Sequence, residues 1–152
     1  MQSSAVSNSE FSVQLTSIEN RGFVDHIKEQ VVKLSPETLR VAHSLAIIVV
    51  GNEKLDVEIR LQYGEEEKVF ADIRVVCHFR VGHLEQVMKI DQNTQQVSFD
   101  ESLVRVIVPV AFSTARGYFS AKLESSPLAK FPFPIIKTDA LIKTCRIMVG
   151  EA

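Results

Sequence analysis

In "LDVEIRLQY", residues 55–63, every second residue is apolar or aromatic: Leu55, Val57, Ile59, Leu61 and Tyr63, with Asp56, Glu58, Arg60 and Gln62 between them. The alternation returns in "VFADIRVVCHFRV", residues 69–81, where Val69, Ala71, Ile73, Val75, Cys77, Phe79 and Val81 share one side. A helix scatters such a pattern around its axis, whereas an extended chain puts every second residue on one face. The polar link "GEEEK" (64–68) predicts a turn, so the two runs read as a long β-hairpin. One face of that hairpin is apolar along its whole length, and something must cover it.

The cover is expected from "FDESLVRVIVPVAFSTARGYFSAKLESS", residues 99–126, in which Ala111, Ala115, Tyr118, Phe119, Lys122 and Leu123 recur at helical spacing. Asp100 is its expected N-cap, and Pro109 either kinks the helix or starts its main segment. "DALIKTCRIMV" (139–149) reads as a final amphipathic helix with Leu141, Cys145 and Met148 on one face and Asp139 as N-cap. Upstream, Phe11, Val13 and Leu15 alternate with Ser12, Gln14 and Thr16, predicting a half-buried strand over 11–19 that Asn20, Arg21 and Gly22 interrupt. Residues 23–34 leave two readings open. Phe23, Ile27 and Val31 have helical spacing, but an irregular crossover fits equally. Residues 38–50 are rich in β-branched side chains and predict an extended segment. Strands first and helices afterwards indicate an α+β fold, with helices on one face of an antiparallel sheet.

A chain of 152 residues with 45% hydrophobic content suits a single domain, 1–152, with the polar residues 1–9 as a loose terminus. The net charge of −2 lacks the basic surplus of nucleic-acid-binding domains. The opening "MQSSAVSNSE" does not read as a secretory signal, and the longest aliphatic run, "LAIIVV", is far too short to span a bilayer. A soluble, cytoplasmic protein with reduced Cys77 and Cys145 is expected, with no stable membrane insertion.

Residue types that carry catalysis are present without the company they need. There is no phosphate-cradling glycine loop and no Gly-x-Ser-x-Gly elbow. Cys77 points inward on its strand while His78 points outward, so the two do not share a metal. Glu65, Glu66 and Glu67 read as a solvated turn. Glu85 beside His83 has no partner nucleophile. Arg116 fits either a carboxylate or subunit contact, or a surface position. No enzyme, metal or cofactor is expected.

One stretch, "KFPFPIIKTDAL" (130–141), combines two phenylalanines, two prolines and two isoleucines. It fits a loop that caps the core with Phe131 and Phe133 turned inward. It equally fits an exposed apolar groove, where the prolines reduce the entropy lost when the loop orders against a partner.

Pro109, then Ala115-Arg116, a helix, a proline-rich apolar loop and Asp139-Ala140-Leu141 follow one another over residues 103–142. In that order they resemble the SecB family of export chaperones; the rest of the chain agrees in its order of elements. The resemblance implies a four-stranded antiparallel sheet with a long and a short C-terminal helix on one face, assembled as a homotetrameric dimer of dimers. It implies an ATP-independent holdase that binds unfolded or precursor proteins in apolar grooves during protein export. Carried over by position, Phe131, Phe133, Ile135, Ile136 and Leu141 line the groove. Leu39, Val41 and Leu45 supply its other wall, and Ala111, Ala115 and Tyr118 face the oligomer. Export-type members are strongly acidic, whereas this chain has a pI near 6.1, with Lys137 and Gly117 at positions where the family usually has Asn and an acidic residue. The resemblance implies a translocase motor as a further partner, and these departures from the export type leave room instead for a divergent relative attached to a toxin–antitoxin pair. The alternatives to a holdase are a dedicated protein-interaction module, or a small-molecule-binding α+β protein with the phenylalanine loop closing a pocket.

Overall fold

The computed structural model describes residues 11–30 and 32–150. The predicted hairpin is its centre: β3 (Lys54–Glu65) and β4 (Lys68–Gly82) pair antiparallel, as does β2 (Arg40–Gly51) with β3. Leu55, Val57, Ile59, Leu61, Tyr63, Ala71, Ile73, Val75, Cys77, Phe79 and Val81 are all buried. Val69 departs from that stripe, being 42% exposed while Phe70 is buried. A register shift between Tyr63 and Gly64 pairs Gly64 with Val69 and leaves Phe70 as the extra residue, reversing the alternation at the hairpin's end. Gly64 is required there, because a Cβ at this position would stand 2.3 Å from the Lys68 carbonyl oxygen.

β1 (Ser12–Asp25) pairs antiparallel with β4 and does not stop at Asn20. Two bulges, at Thr16 and Arg21, absorb the residues that break the pattern. Asn20 Oδ1 accepts the Gly22 N–H at 3.1 Å, and Thr16 Oγ1 donates to the His78 carbonyl at 3.0 Å. Phe23 therefore lies on a strand and Ile27 in the turn after it, and neither is helical. Val31 lies outside the described residues.

Two short elements that the sequence left unassigned follow β4. They are α1 (Leu84–Val87) and the small antiparallel pair β5 (Met88–Ile90) and β6 (Val97–Phe99). The long helix, α2 (Glu101–Lys122), then crosses the apolar face over β3 and β4. Asp100 caps it, accepting the Ser102 N–H at 2.9 Å. Pro109 is interior to it, so the Arg105 carbonyl has no N–H four residues on. The apolar face of α2 is Leu103, Val104, Ile107, Val108, Ala111, Phe112, Ala115 and Phe119, all buried. A 3₁₀ turn, Pro127–Lys130, precedes the proline loop.

The C-terminus departs most from expectation. α3 spans only Thr138–Thr144, and Lys137 rather than Asp139 is its N-cap residue. Asp139 is otherwise engaged: its carboxylate accepts from the Arg105 guanidinium, tying α3 to α2. Beyond Cys145 the chain becomes a strand, β7 (Arg146–Val149), lying parallel to Ala46–Val49 of β2. The main sheet thus has five strands in the order β1-β4-β3-β2-β7, not four, and is not wholly antiparallel. Unpaired N–H and C=O groups along β2 outweigh a weak helical spacing in a segment containing β-branched Ile147 and Val149. The architecture is α+β.

Candidate functional site

Pro132 and Pro134 carry no N–H, so the loop containing them cannot fasten itself by a ladder. It is fastened through its carbonyls. The Tyr63 hydroxyl donates to the Phe131 carbonyl, and Arg116 Nε donates to the Phe133 carbonyl at 3.1 Å. Burial pushes the Tyr63 phenol up to about 12, with the Arg116 charge opposing, so the hydroxyl keeps its proton at neutral pH. Tyr63 ends the apolar stripe of β3, and Arg116 projects from α2. The loop is stapled to sheet and helix together. Arg116, ambiguous in the sequence, is half-buried and acts as a backbone clamp.

An extended backbone alternates its side chains, and this one does. Phe133 turns inward and is 6% exposed. Its ring lies 5.6 Å from that of Tyr63, 6.1 Å from Phe112 and 6.2 Å from Phe119. Ile135 turns outward and is 83% exposed; Phe131 and Ile136 are half-buried. The inward reading holds for Phe133 and only in part for Phe131, which is half-buried. Phe133 caps the core, and Ile135 presents apolar surface. Between the loop and the last turns of α2 lies a cleft of about 280 Å³. Phe119, Leu123, Phe131 and Pro132 are on its walls, with Arg116 and Glu124 beside them.

Val41 stands opposite Tyr63 on β2 and is exposed, so it flanks the same anchor from the sheet side. Leu39 is half-buried against the core. Leu45 and Leu141 are buried within the subunit. Of the eight residues expected to line a groove, Leu39, Val41, Phe131, Ile135 and Ile136 reach the surface, whereas Leu45, Phe133 and Leu141 are core residues and line none. Ala111 and Ala115 have no exposed area. Their small size lets α2 approach its own sheet and leaves nothing for another subunit. Tyr118 is exposed, as are Val106 and Val110 on the outward side of the helix.

Two participants escaped the sequence reading. Tyr63 looked like one more member of an apolar stripe; only its place at the stripe's end, with a hydroxyl needing a partner, hinted at an anchor. His43 lies on the core side of β2, 6.1 Å edge-on from the Phe112 ring, and its buried Nε2 has no hydrogen-bond partner. Burial pulls its pKa down.

The opposite face of the sheet is charged. His78 Nδ1 lies 2.7 Å from Asp56 and its Nε2 lies 3.1 Å from Glu19, a row across three strands. Partial burial works to lower the His78 pKa, but hydrogen bonds and charge from Asp56 and Glu19 together outweigh it and leave the pKa raised. Cys77 points to the core, where burial pushes its thiol up to about 11 despite the Thr114 contact. Cys77 and Cys145 are free thiols. Among the described residues no helix is long and apolar enough to cross a membrane. No family model and no curated protein matches the chain.

Proposed function

We propose that this protein is an ATP-independent holdase of the SecB type, which grips non-native polypeptides through the apolar surface around Ile135. One observation carries the reading. A large aliphatic side chain is 83% exposed on a loop whose backbone is pinned from below by Tyr63 and Arg116. Exposure of that size on a mobile tip would be unremarkable. On a clamped, proline-stiffened segment it presents apolar area that has already lost its conformational entropy. Phe131 and Ile136, half-buried on the same loop, add apolar area, and the cleft beside Phe131 offers room for a side chain of the client.

Burying one such isoleucine stabilises a complex by about 1.5–3 kcal/mol. A single site of this kind is weak, so useful affinity needs several sites acting on one chain. Assembly as a dimer of dimers would supply them. Precursor or unfolded proteins in the cytoplasm are the client class, with a translocase motor or a toxin–antitoxin pair as the further partner. The reading requires no reaction step and no bound cofactor.

The decisive experiment pairs mass by light scattering with aggregation of a denatured test protein, without nucleotide. We expect an oligomer that suppresses aggregation, and Ile135→Ser that folds normally but suppresses it poorly. A monomer without effect on aggregation would remove the proposal. Capture of one stoichiometric partner, with no promiscuous binding, would replace it by a dedicated interaction module.

A further inference from the structure

On the charged face of the sheet, away from the proline loop, a depression of about 330 Å³ is lined by Arg21, Arg60, Arg74 and Arg146, with Ser44 and Glu58. Its floor is unlike the rest of that face. Val76 and Ala46 point to the solvent side of the sheet yet are 2% and 3% exposed. Long arginine stems cover such small apolar residues while leaving the guanidinium groups in water. Glu58 stands between the two, paired with Val76 on one side and Ala46 on the other, so one half-exposed carboxylate shares the floor with these apolar residues beneath the four guanidinium groups.

The four arginines are not equally engaged. Arg60 makes a two-point pair with Asp72, at 2.9 and 3.0 Å. Arg21 meets Glu19 at 2.9 Å and Glu58 at 3.7 Å. Arg74 and Arg146 have no carboxylate partner among the described residues. Arg74 also stands directly opposite Arg60 across the β3–β4 ladder. Like charges placed so are destabilising. A sequence selected for stability alone would put an acid or a neutral residue there. Asp72 already answers Arg60, which leaves Arg74 as the guanidinium of this pair whose charge an anion would meet.

Spacing indicates which anion. Arg74 is on β4 and Arg146 on β7, with β3 and β2 between them. Three inter-strand steps and one two-residue step along the strands separate their backbones by about 16 Å. Their backbones stand that far apart while both side chains line one depression, which suits two anionic groups on a single extended ligand. An extended peptide puts residues i and i+4 on the same side about 13–14 Å apart. Carboxylates at such positions meet the forks in the two-point geometry that arginine favours.

The geometry points to a second binding site on this face of the sheet, for an acidic, extended segment of a partner protein, held by Arg74 and Arg146. It goes beyond the holdase reading and does not depend on it, since it uses the other face of the sheet. Because Arg146 belongs to β7, the C-terminal strand completes the site.

The test is fluorescence anisotropy at low salt, with a labelled peptide of alternating Glu and Ser and a control in which Gln replaces Glu. The Glu peptide is expected to bind and the Gln peptide not to. Affinity should fall about tenfold in Arg74→Gln and about tenfold in Arg146→Gln, and should weaken with salt. Lys143→Gln, the same charge change on α3, should leave it intact. Arg74 lies on a central strand, so its variant tests the site even if Arg146→Gln loosens β7. Equal binding of both peptides would overturn the assignment. So would unchanged affinity in Arg74→Gln. Displacement of the peptide by inorganic phosphate at equal concentration would assign the site to small oxyanions and overturn the peptide reading.

Discussion

Two histidines give this fold opposite responses to pH. His78 donates toward Asp56 and Glu19, and its pKa is raised in the folded state. Its stabilising contribution is complete below the unfolded value of about 6.5 and is lost as pH rises through the raised value. His43 has a lowered pKa, so it is kept neutral when folded. Its contribution holds above about 6.5 and is lost as pH falls below that value. Stability among these two groups should peak near their ordinary pKa. Denaturant titrations across pH 5–8 should show His78→Gln flattening the alkaline side and His43→Leu flattening the acid side. His43→Leu should also raise stability by about 1 kcal/mol, since it removes a buried nitrogen that finds no partner. The loop residues separate as sharply. Phe133→Ala should cost about 3–5 kcal/mol in chemical unfolding, because its ring sits among three others. Ile135→Ser should change stability by less than about 0.5 kcal/mol. If both variants lose equal stability, the loop is core throughout and offers no separate surface.

At the scale of elements, legibility in the sequence followed how far each element depends on its own pattern. β3, β4 and α2 declare themselves because one period runs unbroken through each, and each buries most of a face. Asp100 was readable as a cap because nothing competes for its carboxylate except Ser102. Asp139 has the same credentials, but its carboxylate goes to Arg105, a partner distant in sequence. β7 is the plainest case of tertiary override. Its residues are all exposed, so it carries little pattern of its own and takes its conformation from the free edge of β2. The bulges in β1 were hidden for a related reason, since Asn20-Arg21-Gly22 reads as a break until β4 is there to pair on both sides of it. The same logic predicts which glycine matters. Gly64→Ala should cost about 1–3 kcal/mol, because its Cβ would meet the Lys68 carbonyl at 2.3 Å and strain the bulge. Gly117→Ala, in a helix position with nothing within 4 Å, should instead stabilise by about 0.5–1 kcal/mol. Thermal unfolding of the two variants should move Tm in opposite directions.

At the scale of the whole molecule, the sheet has two very different faces. One is covered by α2, α3 and the clamped loop, with apolar surface left at Ile135, Val41, Ile147 and Val149 and on the outward side of α2. The other is charged, with its ion pairs running across strands. Scattered exposed apolar residues are ordinary, but Val106 and Val110, four apart, adjoin on the outward side of α2. In the proposed assembly, this outward side, rather than the buried Ala111 and Ala115, is where copies of the chain would meet. Val110→Asp is the sharp test, because the position is exposed in the subunit and should tolerate charge without unfolding. Placed in a subunit contact, the same carboxylate would be desolvated without a partner and would oppose assembly by several kcal/mol. Light scattering should then show a smaller particle with an unchanged circular dichroism spectrum. Since avidity multiplies weak sites only while they remain connected, aggregation suppression should fall more than in proportion to the lost mass. An unchanged mass in Val110→Asp would move the contact elsewhere, and the free outer edge of β1 would be the next place to break it.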